Sequence, residues 1–262
     1  MSEANDQPAV IEMRGARVTA LRDSSLVVLD DVNWTVLPGE FWVVAGPPYS
    51  GKSDLLMHAA ALIAPVNGTC RLFGHDNSAY DDSMIADRLR VGCAMSDGKL
   101  FNQYTVAGNV ALPLRYHKNL PEAEVEQFVG ELLKLLELTP FADQSPVNVT
   151  TSWRQRTALA RALVLKPELL LLDNPNGGLV ARHRRWLVDF LEQLWRGHSF
   201  FDNRPMTVVI TTDDLQAWQH PRRKFAAMHE GKFSVLGAWG GQEFARHHVV
   251  QDFLSQPSET MN

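Results

Sequence analysis

One stretch constrains this chain more than any other: Val43-Val44-Ala45-Gly46-Pro47-Pro48-Tyr49-Ser50-Gly51-Lys52-Ser53, continued by Asp54-Leu55-Leu56-Met57-His58-Ala59-Ala60-Ala61-Leu62. An apolar run of strand character enters G-x-x-x-x-G-K-S and leaves as a helix. At such a turn, backbone N–H groups and a helix N-terminus cradle phosphate oxygens, the lysine reaches the β- and γ-phosphates, and the serine hydroxyl ligates Mg²⁺. The pattern therefore assigns Gly46, Ser50, Gly51, Lys52, Ser53 and Asp54 to a phosphate site in a nucleotide-binding fold. An ordinary glycine-rich turn would not need the strand before it or the helix after it.

The rest of the chain is long enough to bury a full core: 262 residues, 45% hydrophobic and 21% charged. A formal net charge of −5 argues against a nucleic-acid surface. The basic runs Arg182-His183-Arg184-Arg185 and Arg222-Arg223-Lys224 read as solvated faces of a helix or loop. Cys70 and Cys93 are too few for a zinc site or a disulfide framework and read as buried thiols in a reducing compartment. No apolar run reaches the length of a membrane span, and the first residues are polar and acidic, unlike a signal peptide. The expected location is the cytoplasm.

Residues 1–8 read as a disordered leader and 9–262 as one domain. Four short strands are expected before the phosphate loop, at Val10–Met13, Arg17–Leu21, Leu26–Leu29 and Val32–Val36. Beyond it come a strand within Gly68–Gly74, a helix at Ile85–Arg90 and a buried strand at Val91–Met95. A helical insert follows, about 96–153, with Thr105 capping one helix and apolar residues at Val125, Phe128, Val129, Leu132, Leu133 and Leu136 marking another over Glu122–Leu138. A helix at Arg154–Leu165, a buried strand Leu169–Asp173, a helix at Val180–Trp195, a strand at Thr207–Thr211 and a last helix near Gln242–Leu254 complete the alternation. Strands alternating with helices around a phosphate loop predict an α/β fold with a mostly parallel core sheet, preceded by an antiparallel layer. Trp186, Trp195 and Trp218 read as packing residues, and the histidines, including His183, His220, His247 and His248, show no ligand spacing.

Leu169–Asp173 supplies what the loop needs next, a buried strand delivering a carboxylate that holds Mg²⁺. Upstream, Arg154-Gln155-Arg156-Thr157-Ala158-Leu159-Ala160-Arg161-Ala162-Leu163 resembles the helix after the signature motif of ABC transporter ATPases. At this spacing from Lys52 and Asp173, the chain is similar to that superfamily from Val10 to Leu254. Two short stretches, Asn109–Arg115 and Val250–Leu254, look like the Mla-type ATPases of MCE-protein phospholipid transporters. The resemblance implies ATP and Mg²⁺ as cofactors, with Ser53 and Asp173 as metal ligands. It also implies a membrane permease partner docking near Ser96–Leu114, an MCE-type lipid-binding protein, a homodimer or heterodimer, and a peripheral place on the inner membrane face.

Carried over residue by residue, most of the superfamily's catalytic positions fail. No aromatic ring stands between Met1 and Asn33 to stack on adenine, which leaves Arg17 or Arg22 as substitutes. Ser96 replaces the Q-loop glutamine, and Val149-Thr150-Thr151-Ser152-Trp153 replaces the signature L-S-G-G-Q. Asn174 stands where a glutamate polarises the attacking water, Val180 where the D-loop has aspartate, and Thr212 where a histidine senses the γ-phosphate. An amide cannot take the proton of water, which forfeits an effect of about 10²–10⁴ in rate. Pro48 lacks an N–H, Tyr49 replaces a usual glycine, and Asp54 sets a carboxylate facing a polyphosphate.

The expectation is an ATP-binding-cassette subunit of a lipid transport complex, with binding of ATP weak or lost and hydrolysis absent or very weak. The alternative is an active ATPase subunit, alone or paired with an intact one.

Overall fold

The structure, a computed structural model, describes residues 8–76, 82–96, 98–241, 244 and 250. The phosphate loop leaves strand β3 (Phe41–Ala45), which follows β1 (Ile11–Ala20) and β2 (Asp23–Val36). Helix α1 (Lys52–Ala59) leads to β4 (Thr69–Leu72), β5 (His75–Asp76), α2 (Asp82–Arg88) and β6 (Val91–Ala94). Helices α3 (Val106–His117), α4 (Glu122–Leu135) and α5 (Thr151–Leu163) precede β7 (Leu169–Asp173). Then come α6 (Ala181–Arg196), β8 (Thr207–Thr212), β9 (Lys224–His229) and β10 (Lys232–Ala238).

Two sheets organise these elements. The larger runs β10-β9-β3-β8-β7-β6, parallel except for the antiparallel β9–β10 pair. Its central strands β3, β7 and β8 are buried at every position because both faces are covered: Phe41, Val43 and Ala45 point into one core and Trp42 and Val44 into the other, as do Leu170 and Leu172 against Leu169 and Leu171. Because β3, β7 and β8 are neighbours, their C-terminal ends bring Gly46, Asp173 and Thr212 to one edge. The smaller antiparallel sheet runs β2-β1-β4-β5.

The four strands expected before the phosphate loop are two long ones. Gly15 (φ 54°) and Asp31 (φ 54°) look like turn residues, but they form opposed bulges in a continuous pair, where the Gly15 N–H donates to Asn33 Oδ1 at 2.9 Å. Thr105 does cap α3, accepting from the Gly108 N–H at 3.0 Å. Helix α4 ends at Leu135, short of Leu138, because Glu137 takes a left-handed conformation (φ 60°). Helix α5 begins three residues earlier than expected, at Thr151.

The hairpin β9–β10 was not expected. Its turn, Glu230-Gly231, has φ of 47° and 75° at the two residues, the two-residue left-handed geometry that favours glycine. The basic run beside it is solvated only in part: Arg222 is exposed as expected and Lys224 half-buried, but Arg223 is not. Arg223 is 3% exposed, donates to Glu192 Oε2 at 2.8 Å and lies 4.4 Å from the Phe41 ring. Arg182, Arg184 and Arg185 are exposed on α6 as expected. Trp218 is fully buried, and Trp186 and Trp195 pack on the core. The expected leader lies outside the described residues except Pro8, and so does the expected last helix except Phe244 and Val250, which are helical and buried. Among the described residues no helix is long and apolar enough to cross a membrane.

Candidate nucleotide site

The phosphate loop closes on itself. Gly51 (φ 87°) turns the chain into α1, and Tyr49 holds a left-handed φ of 64° with its ring fully in solvent. The Lys52 ammonium donates to the carbonyls of Gly46 and Pro47, at 2.7 Å each. Lys52 is buried, which pushes its pKa down, while the carboxylates of Asp213 and Asp173 act against that. A Cβ on Gly46 would stand 2.5 Å from Ser50 Oγ, and that buried hydroxyl has no protein partner. The cradle is thus shaped for close approach by backbone and lined with an unsatisfied donor. These are features a polyphosphate would complete.

The pair expected to hold Mg²⁺ is assembled across the sheet. Ser53 Oγ donates to Asp173 Oδ2 at 2.7 Å, and Thr211 Oγ1, from the neighbouring strand, donates to Asp173 Oδ1 at 2.8 Å. Asp173 is 3% exposed, so both carboxylate oxygens are oriented by hydroxyls inside the fold. A hydroxyl and a carboxylate are hard oxygen donors, the set Mg²⁺ takes. Thr211 was not foreseen; the signal for it is a hydroxyl on the strand beside β7.

Beyond Asp173 the chain turns sharply at Asn174 (φ 43°), whose N–H donates to Thr211 O at 3.1 Å. Its side-chain amide donates to Asp213 Oδ2 at 3.3 Å, and its Oδ1 is buried without a partner. Thr212 is fully buried, its hydroxyl engaged with the backbone of Asp214 at 3.0 Å in both directions. That places it in its own turn rather than toward the loop. Val180 is exposed and precedes α6. Ser96 is exposed at the end of β6, and its carbonyl accepts from Gln155 Nε2 at 3.4 Å.

The signature stretch is built differently from the phosphate loop. Val149 is buried, Thr150 precedes α5 without a side-chain cap, and Thr151 and Ser152 open the helix. Trp153 packs on Phe141 (4.6 Å between ring centroids) and edge-on to His183 (5.0 Å). The Arg156 guanidinium lies 4.8 Å from the Trp153 ring and 3.5 Å from that of Trp186, and is paired with Glu137 at 2.7 Å. A cavity of about 30 Å³ lies below, bordered by Ser96, Ser152, Gln155, Asp173, His183 and Trp186, a size that holds one or two waters. Gln155 Oε1 and His183 Nδ1 are buried without a protein partner. His183 thus borders the same cavity as Asp173, a position its sequence spacing does not mark.

On the outer side, Asp54 is engaged by the first hairpin, with its second oxygen beside Gly51. Its Oδ1 accepts from the Leu21 N–H at 2.8 Å, in the turn joining β1 to β2. Arg17 pairs with Asp30 at the surface, Nε to Oδ1 at 2.9 Å, and Arg22 is exposed in the turn. Burial raises the Cys70 thiol to about 12 and the Cys93 thiol to about 11, in keeping with inert thiols.

The model of the ABC transporter family matches residues 29–177. The chain is 36% identical over 214 residues to the sulfate/thiosulfate import ATP-binding protein CysA of Synechococcus elongatus, an alignment covering 82% of this chain and 59% of that protein. It is 34% identical to the protein of the same name from Mycobacterium tuberculosis, covering 83% and 59% respectively. The chain thus spans about three fifths of the length of these curated relatives. Among solved structures it resembles the dimeric post-hydrolysis state of the ATP-binding cassette MJ0796 bound to ADP and Pi. That match has 25% identity and a TM-score of 0.75 and covers 87% of this chain and all of the other.

Proposed function

The chain belongs to the ABC transporter family, and from that premise we propose that it is the ATP-binding subunit of a membrane transport complex, with its own hydrolysis absent or very weak. Residues 9–262 act as one nucleotide-binding domain in this reading, with α3, α4 and the start of α5 as its helical insert. Lys52, with the N–H groups of the phosphate loop, would hold the phosphates of ATP. Ser53 and Asp173 would hold Mg²⁺, which supplies charge neutralisation between phosphate oxygens when bound. Thr211 orients Asp173 for that task. The subunit would sit peripherally at the membrane through a permease and pair with a second cassette, a copy of itself or an intact one.

Asn174 carries the claim of weak turnover. Its amide is tied to Asp213, so the position after the metal carboxylate offers a hydrogen-bond donor where proton abstraction needs a base. Trp153 and Thr212 add to it, since both are engaged in packing or in a local turn.

The narrower lipid reading has little left to support it. Asn109, the first residue of the stretch that suggested it, is fully buried and bonds the backbone of Phe101 at 2.8 and 2.9 Å and Thr105 at 3.0 Å, a structural duty. The reported relatives carry the name of sulfate/thiosulfate importers rather than lipid transporters. We therefore favour an import-type complex whose cargo is chosen by the membrane partner, with no MCE protein. Arg115, which directly follows the stretch expected to face the permease, is paired with Glu122.

Titration calorimetry with Mg-ATP, followed by a turnover assay on the same sample, tests the proposal. Expected are heat of binding that vanishes in Lys52→Ala and turnover at least about 10²-fold below that of an intact cassette. Turnover at ordinary rates, lost on Lys52→Ala, would overturn the claim of weak hydrolysis.

A further inference from the structure

We propose that His58 is an acid-sensitive latch between the phosphate-loop helix α1 and the open edge of β1, closed by the neutral ring and opened by proton uptake. Strand β4 covers that edge only from Ile11 to Arg14. Beyond it, the N–H groups of alternate residues face the same way along the strand, and three of them find acceptors outside any sheet. The Arg17 N–H donates to Asn67 O at 2.9 Å, the Thr19 N–H approaches His58 Nε2 at 3.5 Å, and the Leu21 N–H donates to Asp54 Oδ1 at 2.8 Å. Asp54 and His58 stand four residues apart on α1 and share one face of it. The helix that begins at Lys52 thus takes the place of a neighbouring strand for the last part of β1.

Of carbonyl, carboxylate and imidazole acceptors, the imidazole is the one that ordinarily changes protonation between pH 5 and 8. The His58 ring is fully buried, and its Nδ1 lies 2.9 Å from the Asp54 carbonyl, so the neutral ring carries its proton on Nδ1 and leaves Nε2 to accept from Thr19. A second proton would go onto Nε2 and set N–H against N–H, beside a threonine that is itself 1% exposed. The contact must then part. Thr19 is also where β1 is loosely tied to β2, since the register shifts on both sides of it. The groups about His58 are Asp54 on its own helix, Thr19 on β1, and Cys70 on β4, whose Sγ donates to the His58 carbonyl at 3.3 Å. The Cys70 thiol, pushed up to about 12 by burial, stays uncharged, which leaves Asp54 as the charge that acts on the ring. Burial, the larger effect, lowers the pKa of His58, and the bond to the Asp54 carbonyl and the Asp54 charge act against it. Proton uptake therefore follows opening: the released ring regains its ordinary pKa of about 6.5 and takes a proton that the closed form resists. The open population should rise by up to about tenfold between pH 7.5 and 5.5.

The latch is independent of what the loop binds, so it is tested on the full chain without nucleotide. Amide exchange would be read at pH 7.5 and 5.5 and corrected for the pH dependence of the chemical exchange step. Protection of Thr19 should fall by up to about tenfold on acidification, while that of Arg17, held by a carbonyl, stays constant. His58→Gln, whose side-chain oxygen can accept from Thr19 but takes up no proton, should give equal Thr19 protection at both pH values. Nitrogen chemical shifts of the imidazole in the unsubstituted chain supply a reading that needs no variant: at pH 7.5 they should show Nδ1 protonated and Nε2 bare. Constant Thr19 protection, an equal fall at Arg17, the same fall in His58→Gln, or a ring protonated on Nε2 at pH 7.5 would each overturn the latch.

Discussion

The two halves of the site have diverged in kind. On the phosphate-loop side, Ser53, Asp173 and Thr211 form a hydrogen-bonded network inside the fold, and Lys52 beside it is tied to the carbonyls of Gly46 and Pro47. On the side of the stretch expected to stand for the signature, aromatic packing dominates: Trp153, half-buried, packs with Phe141 and His183, and the Arg156 guanidinium lies near the rings of Trp153 and Trp186. A polar network of this kind keeps its value only if a ligand or ion uses it, because desolvated hydroxyls and carboxylates stabilise a fold poorly by themselves. An aromatic cluster stabilises the fold whether or not anything binds. In the proposed reading, the first half serves binding and the second holds the helical insert against the core.

The sharpest way to break that comparison is at Asp173. Asp173→Ala should abolish the Mg²⁺-dependent part of ATP binding, so that affinity becomes the same with and without the metal. It should also leave the Ser53 and Thr211 hydroxyls without their acceptor, at about 1–3 kcal/mol in stability. Calorimetry with and without Mg²⁺, paired with denaturant unfolding, reads both. Retained Mg²⁺ dependence would remove the main reason for treating this half as a binding surface.

Trp153→Ala is the complementary case, smaller in its effect on ligand and comparable in its effect on fold. Loss of a half-buried ring against Phe141 and His183 should destabilise by about 2–3 kcal/mol. Arg156 keeps Trp186 and Glu137 and is not stranded. ATP affinity should stay within about twofold, a difference of about 0.4 kcal/mol. A large loss of affinity with little change in unfolding would show that the signature side still faces nucleotide.

How far this could be read in advance follows from the range of the interactions involved. The cradle, the carboxylate strand and the helices were legible because each depends on a local pattern: G-x-x-x-x-G-K-S, four leucines ending in Asp173, and apolar spacing along α4 and α5. The paired long strands were misread because Gly15 and Asp31 carry the same local signal whether they end a strand or bulge it. Arg223 looked solvated because its partners, Glu192 and Phe41, come from other elements. The engagement of Asp54 by the first hairpin was likewise invisible, since its acceptor role depends on an N–H thirty-three residues away. The identity of each site residue was local information; its direction was tertiary.

The smallest expected effect compares one histidine from each half. His58 on α1 is fully buried, with Nδ1 2.9 Å from the Asp54 carbonyl and Nε2 3.5 Å from the Thr19 N–H, an arrangement that fits a neutral ring donating from Nδ1. Burial lowers its pKa. His183, beside Trp153, is lowered too, by burial first and then by the charges of Arg156 and Arg182. In both cases the folded pKa lies below the unfolded one, so the unfolded chain takes up protons first as pH falls. Their contribution to stability is intact above about pH 6.5 and is lost below it, by at most about 1.4 kcal/mol per histidine for each pH unit. Unfolding midpoints measured at pH 7.5 and 5.5 should therefore fall less in His58→Gln than in the unsubstituted chain, and His183→Gln should flatten the dependence by a smaller amount because its ring is only half-buried. The reverse order would mean that the signature-side cluster, rather than the helix of the phosphate loop, is the more tightly closed of the two halves.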